Sequence, residues 1–233
     1  MDIKILDNAA DVALCAAKMI AAEASAAVAA RGLFIMAVSG GHTPRQMLRN
    51  LADAAMPWRD VHIFQVDERI APAGDPDRNL VFLRDSLIEY APLAPEHVYP
   101  MPVEEEDLEA AAASYARRLQ QIAGSPPVLD LVHLGLGPDG HTASLVPGDP
   151  VLAVTARDVA LTGVYQKHRR MTLTYPVINR SRRILWLVTG PEKAGILARL
   201  RSGDLSIPAG RIRQNDALVL ADRAANGNLA EPA

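Results

Sequence analysis

Largely apolar runs recur along the chain at residues 33–38, 61–66, 128–136, 184–189 and 217–221, the third broken only by Asp130 and His133. Each has the length of a strand buried on both faces, the mark of a parallel sheet covered by helices. The segments between them read as helices. Asp7-Asn8 caps an alanine-rich helix over residues 9–30 that Gly32 ends. Thr43 as N-cap, with Pro44 at the first helical position, opens a second helix to about residue 51. Asn79 opens a third to about residue 90, and Glu104-Glu-Glu-Asp107 begins a fourth to about residue 122, its acids at the end that favours them. A further helix follows Gly190-Pro191 and carries Lys193. Residues 159–165 and 171–174 alternate as strands around the basic segment Lys167-His-Arg-Arg170. The pattern predicts an α/β fold: a doubly wound, mostly parallel sheet with helices on both faces, one domain over residues 1–233, with 225–233 a frayed tail.

In such sheets ligands bind outside the carboxyl ends of the strands, so the polar turns there carry the candidate chemistry. After the first run, Ser39-Gly-Gly-His-Thr-Pro44 brings free backbone N–H groups, a helix dipole and the hydroxyls of Ser39 and Thr43 to one place. Ser39, Gly40, Gly41 and Thr43 are therefore candidate phosphate ligands, although no Gly-Lys-Ser/Thr follows and the loop is not a Walker loop. Asp67-Glu68-Arg69 closes the second strand, where three charges are unfavourable unless used or paired; the plain alternative pairs Asp67 with Arg69 at the sheet edge.

The stretch 128–148 turns sharply at Gly135, Gly137, Pro138 and Gly140 and presents Asp139 and His141. A carboxylate two residues before an imidazole holds it in one tautomer and leaves the other ring nitrogen to take a proton from water. The alternative is that Asp139 caps a short helix beginning near Thr142. Gly135-Leu-Gly-Pro-Asp-Gly140 matches a dinucleotide fingerprint literally, but Pro147-Gly148 stops the helix that fingerprint needs. Lys193 near a helix N-terminus opposes the dipole, a conflict that an anionic ligand removes. A small phosphorylated substrate is the expectation.

Composition narrows this further. The chain is 49% hydrophobic and 22% charged, enough apolar residues for a sizeable core, and a net charge of −3 gives no general attraction for nucleic acid or membrane. A single cysteine, Cys15, excludes an intrachain disulfide and a Cys-based zinc site. The first seven residues lack a basic region followed by an apolar one, and the chain reads as having no 18-residue apolar span, so a cytoplasmic protein is expected.

Taken together, Ser39-Gly-Gly-His-Thr-Pro44, Val66-Asp-Glu-Arg69 with Asp75-Pro-Asp77 and Asn79, the 135–147 stretch, and Thr189-Gly-Pro-Glu-Lys-Ala194 resemble the 6-phosphogluconolactonase family, in its order and over almost the whole chain. The resemblance implies hydrolysis of 6-phosphogluconolactone without metal or cofactor; a monomer or weak homo-oligomer is expected. It implies His141 as the base oriented by Asp139, Arg69 at the lactone or phosphate, and Ser39, Gly40, Gly41, Thr43, Arg170 and Lys193 around the phosphate, with Asp67 also binding substrate. Two positions depart from the family pattern: Arg78 where Ser is usual and His42 where Ser is frequent. The related glucosamine-6-phosphate deaminases carry a Glu five residues past the His, which is Val146 here. A non-catalytic sugar-phosphate sensor is the reading from another class, to which a water-activating base would be superfluous.

Overall fold

The computed structural model describes residues 1–227, and within the helix that begins at His42 it leaves out that residue's side chain. Strands β1 (Asp2–Leu6), β2 (Phe34–Val38), β3 (Val61–Gln65), β5 (Val98–Tyr99), β6 (Leu131–Leu134), β9 (Arg183–Val188) and β10 (Ala217–Asp222) form one parallel sheet in the order β1-β10-β9-β6-β2-β3-β5. A second, antiparallel sheet contains β4 (Asp67–Arg69), β8 (Arg170–Leu173) and β7 (Val159–Leu161), in that order. The helices are α1 (Ala9–Arg31), α2 (His42–Ala52), α3 (Asn79–Leu83), which continues as a π-helical turn to Ile88, α4 (Leu108–Ala123), α5 (Tyr175–Arg180) and α6 (Ala194–Arg201).

The apolar runs are apolar because both faces of the parallel sheet are covered. In β2, Phe34, Met36 and Val38 pack with α1, α2 and α3, while Ile35 and Ala37 pack with α4, α5 and α6 on the other side. The period of two therefore persists, but neither set of side chains meets water. The expected doubly wound sheet with helices on both faces is what the chain forms. From β2 the chain runs outward through β3 to β5, then returns to β6 and runs the other way through β9 to β10. The order reverses between β2 and β6, which opens a crevice there.

Several local expectations are corrected. Helix α1 is 23 residues long and contains an 18-residue stretch with a mean hydropathy of 1.6, long and apolar enough to cross a membrane, where no such span was expected. Its residues Val12, Ala13, Ala16, Ala17, Ile20, Ala24 and Ala27 are buried against the sheet, so this apolarity is what a core helix requires. The acids 104–106 precede α4 rather than begin it. Asp107 is the N-cap, accepting from the Ala110 N–H, and Glu104 pairs with Arg78 at 3.0 Å. Residues 225–227 are not frayed: Ala225 is fully buried and its N–H donates to Asp222. The rest of the expected tail, 228–233, lies outside the described residues. Strands β1 and β5 were missed because both are short edge strands with partly exposed side chains.

The largest correction lies at 66–69. The second apolar run does not end in a charged turn; after Val66 the chain leaves the parallel sheet and Asp67–Arg69 pairs antiparallel with β8. Gln65 fastens the crossing point: its backbone N–H donates to Tyr115, its side-chain oxygen accepts from the Met101 N–H, and its Nε2 donates to Glu68.

Candidate active site

A cleft of about 240 Å³ lies at the reversal point, walled by the turns after β2, β6 and β9 and by β4 and β8. Ser39, Gly40, Gly41, Thr43, Asp67, Arg69, His141, Arg170 and Lys193 all line it. Of the catalytic and substrate-binding candidates, Asp139 stands behind the lining, against His141.

On the β2 side the groups are held mainly by backbone. Gly41 turns the chain into α2 at φ +113, so the helix begins at His42, two residues earlier than expected, and no side chain caps it. Thr43 is thus not the N-cap but a first-turn residue, its hydroxyl 3.5 Å from that of Thr189. The N–H groups of that turn face no capping side chain, and the helix dipole points positive there. Gly40 is required by close approach, since a Cβ would fall on the Asn79 carboxamide. Asn79 cannot yield easily, because its Nδ2 donates to both the backbone and side-chain oxygens of Asp67. Ser39 is tied to His133: its hydroxyl donates to the His133 carbonyl at 3.0 Å and its N–H to Nδ1 at 3.4 Å. Burial pulls the His133 pKa down to about 4, so this ring is neutral.

Three cations face the cleft. Lys193 Nζ donates to the Leu136 carbonyl at 2.8 Å, which swings it across the entrance to the turn after β6. Arg69 Nη1 donates to the Asp77 carbonyl, while its Nε is buried without a partner. Arg170 is buried, its Nη1 3.5 Å from Ser144 Oγ, and its Nε is likewise without a partner. Burial lowers the Arg170 pKa, against the pull of Asp67, but a guanidinium remains charged. Asp67 accepts from Ser144 Oγ at 2.6 Å and so does not pair with Arg69. Glu68 is wholly buried and spent on structure: it accepts from the N–H groups of Arg69, Asn79 and Leu80. Arg78 Nε lies 3.2 Å from Glu68, an ion pair without the alignment of a hydrogen bond, and its Nη1 reaches the Ala71 carbonyl. Arg78 is therefore a buried counter-charge and not a ligand of the cleft. The His42 side chain, the other departure from the family pattern, lies outside the described residues.

On the β6 side the turn is held by its own hydrogen bonds, Gly140 N–H to Gly137 O and Gly137 N–H to His141 O. No helix follows, so Asp139 caps none; Thr142 and Leu145 form an isolated bridge, with Ala143 at φ +52. Asp139 Oδ1 instead accepts from the His141 backbone at 3.1 Å and meets His141 Nδ1 at 2.5 Å. Nδ1 must carry the proton beside a carboxylate, which leaves the Nε2 lone pair available. Burial works against the Asp139 carboxylate, but hydrogen bonds from His141 and Tyr165 outweigh it and hold its pKa below the usual range. Gly137 makes room for the ring: a Cβ there would fall on His141 Nδ1 and Cε1.

Sequence reasoning missed His133 as a cleft residue and Tyr165 as a neighbour of Asp139, and it assigned no site role to Asn79 or Thr189, which stand in its motifs and also line the cleft. His133 carried a signal, an imidazole inside a buried apolar run. Tyr165 carried none, since it comes from the link between β7 and β8, far from Asp139 in sequence.

The chain matches, over residues 7–220, the model of the family described as glucosamine-6-phosphate isomerases/6-phosphogluconolactonase. It is 36% identical to a 6-phosphogluconolactonase of Synechocystis, covering 87% of this chain and 88% of that one. It is also 36% identical to a 6-phosphogluconolactonase of Mycobacterium tuberculosis, over 97% and 98% of the two chains. Among solved structures, a 6-phosphogluconolactonase from Thermotoga maritima superposes with a TM-score of 0.84 at 26% identity, covering 95% and 98%.

Proposed function

The chain belongs to the family of glucosamine-6-phosphate isomerases and 6-phosphogluconolactonases, and on that premise we propose that it hydrolyses 6-phospho-D-glucono-1,5-lactone to 6-phosphogluconate in the oxidative pentose phosphate pathway. The observation that carries the reading is the Asp139–His141 contact across one cleft from an uncapped helix N-terminus and three cations. Water attacks the lactone carbonyl as Nε2 of His141 takes its proton. The tetrahedral intermediate collapses, the ring C–O bond breaks, and the departing oxygen recovers the proton from the imidazolium. Asp139 stabilises that cation and fixes the tautomer. The phosphate sits at the Ser39–Thr43 turn with Arg69, Arg170 and Lys193, and Asp67 lines the path to the carbonyl; binding remote from the reacting carbon supplies the positioning.

The deaminase reading is weaker on one specific point. Its relay needs a carboxylate five residues past the imidazole, and Val146 there is apolar and buried. A sensor would bind the product without turnover. The deciding experiment is hydrolysis of freshly generated 6-phosphogluconolactone, measured against its spontaneous opening, by wild type and His141→Asn. Acceleration by wild type with a loss on the order of 10²-fold in the variant is expected. Turnover that His141→Asn leaves intact would move the base elsewhere, and absence of wild-type turnover would retire the lactonase.

A further inference from the structure

We propose that Tyr165 is a positioning residue of the hydrolytic site, its hydroxyl clamping the second oxygen of Asp139 so that the first stays aligned on His141. This rests on the reading of His141 as the base. The two oxygens of Asp139 divide their work. Oδ1 serves the backbone and Nδ1 of His141, whereas Oδ2 accepts from Tyr165 OH at 3.0 Å, its one protein donor among the described residues. The same phenolic oxygen lies 3.3 Å from His141 Nδ1, close enough to share that N–H, and the two rings meet edge-on with centroids 5.3 Å apart. A carboxylate on one short side chain otherwise turns freely about its last bond. Held at both oxygens, it presents a single edge to the imidazole.

The fold goes to some length to hold this tyrosine still. Tyr165 and His168 exchange backbone hydrogen bonds across a tight turn, with Gln166 and Lys167 both in the left-handed region at φ +48 and +77. Neither is glycine, so the turn is kept against its own preference, as strained segments at functional sites are. Two ties hold it. His168 Nε2 meets Asp77 Oδ2 at 3.1 Å, and the Asp77 carbonyl in turn receives Arg69. Arg170 lies 5.0 Å over the Tyr165 ring and reaches its carbonyl at 3.4 Å. Desolvation and the neighbouring Asp139 push the Tyr165 pKa up, which keeps its hydroxyl protonated as a donor. Tyr165 thereby couples the turn that carries Asp139 to the two arginines that line the cleft.

Tyr165→Phe keeps the ring and its packing and removes only the hydroxyl. On the lactone, it should lower kcat about tenfold with KM within about twofold, the scale of one charge-assisted hydrogen bond. Because the unclamped carboxylate becomes a stronger acceptor for the imidazole, the acidic limb of the kcat/KM profile should also move to higher pH. His141→Asn is assayed beside it. If His141→Asn is crippled while Tyr165→Phe matches wild type in kcat and in its acidic limb, the inference is wrong. A fall in kcat with the limb unmoved, or a rise in KM alone, also overturns it, since that marks general packing. If His141→Asn retains activity, the base reading fails first and takes this inference with it.

Discussion

The turn after β2 holds its ligand-facing groups with main chain, whereas the turn after β6 holds His141 with side chains, one from the turn itself and one from the link between β7 and β8. In the first, Gly41 and the start of α2 present N–H groups whose position follows from helix geometry alone. In the second, the imidazole depends on space left by Gly137, on the Asp139 carboxylate and on a tyrosine carried by the link between β7 and β8. Backbone donors survive changes of neighbouring side chain; a dyad does not. The first half should therefore govern affinity and the second half turnover.

The sharpest way to break this comparison is Gly137→Ala. The backbone there is not left-handed, so the substitution is tolerable to the chain, but the new methyl occupies the His141 ring position and must displace it. Steady-state kinetics should show kcat reduced on the order of 10²-fold, the cost of misplacing a catalytic group by about an ångström, with KM little changed. A comparable rise in KM would mean that the two halves are not separable.

A smaller effect is expected of Arg69→Ala, which removes a cation whose Nε already lacks a protein partner. KM should rise about tenfold while kcat holds within a few-fold, consistent with a group that binds ground state and transition state alike. A fall confined to kcat would place Arg69 at the carbonyl instead.

The smallest effect on activity belongs to His133→Gln, whose consequence is in stability. The folded ring takes up a proton only near pH 4, against an ordinary value of 6.5 in the unfolded chain. Between those values the unfolded state binds more protons, so the contribution of His133 to stability is complete above about pH 6.5 and is lost as the pH falls toward 4. The loss is on the order of 3 kcal/mol. Urea unfolding at several pH values should show this slope in wild type and a shallower one in the glutamine variant; equal slopes would assign it to other groups.

The parallel sheet was legible because its strands are buried on both faces and so write unbroken apolar runs into the chain. The antiparallel sheet was only half legible. The strands at 159–165 and 171–174 alternate visibly, but their third partner, Asp67–Arg69, reads as a charged turn, because what pays for its burial is Ser144, Arg78 and the N–H groups of Asn79 and Leu80. The residues that gather at the cleft were visible as polar turns at strand ends. The start of α2 was not, although the glycine that ends α1 was: Thr43 looks the better cap, and only the conformation of Gly41 shows why the helix starts earlier. Tyr165 lay beyond reach, since nothing local to residues 162–168 says which turn they will touch.

Strand β1 has a single neighbour in its sheet, β10, with Asp2 opposite Leu218 and Leu6 opposite Asp222. Of the described strands, the first along the chain must therefore wait for the last before it can pair. Until then α1, with its long apolar face, lacks part of the surface it will cover. Closure of so long a loop is entropically late, so during folding α1 is without the part of its cover that β10 supplies until the two ends of the chain meet.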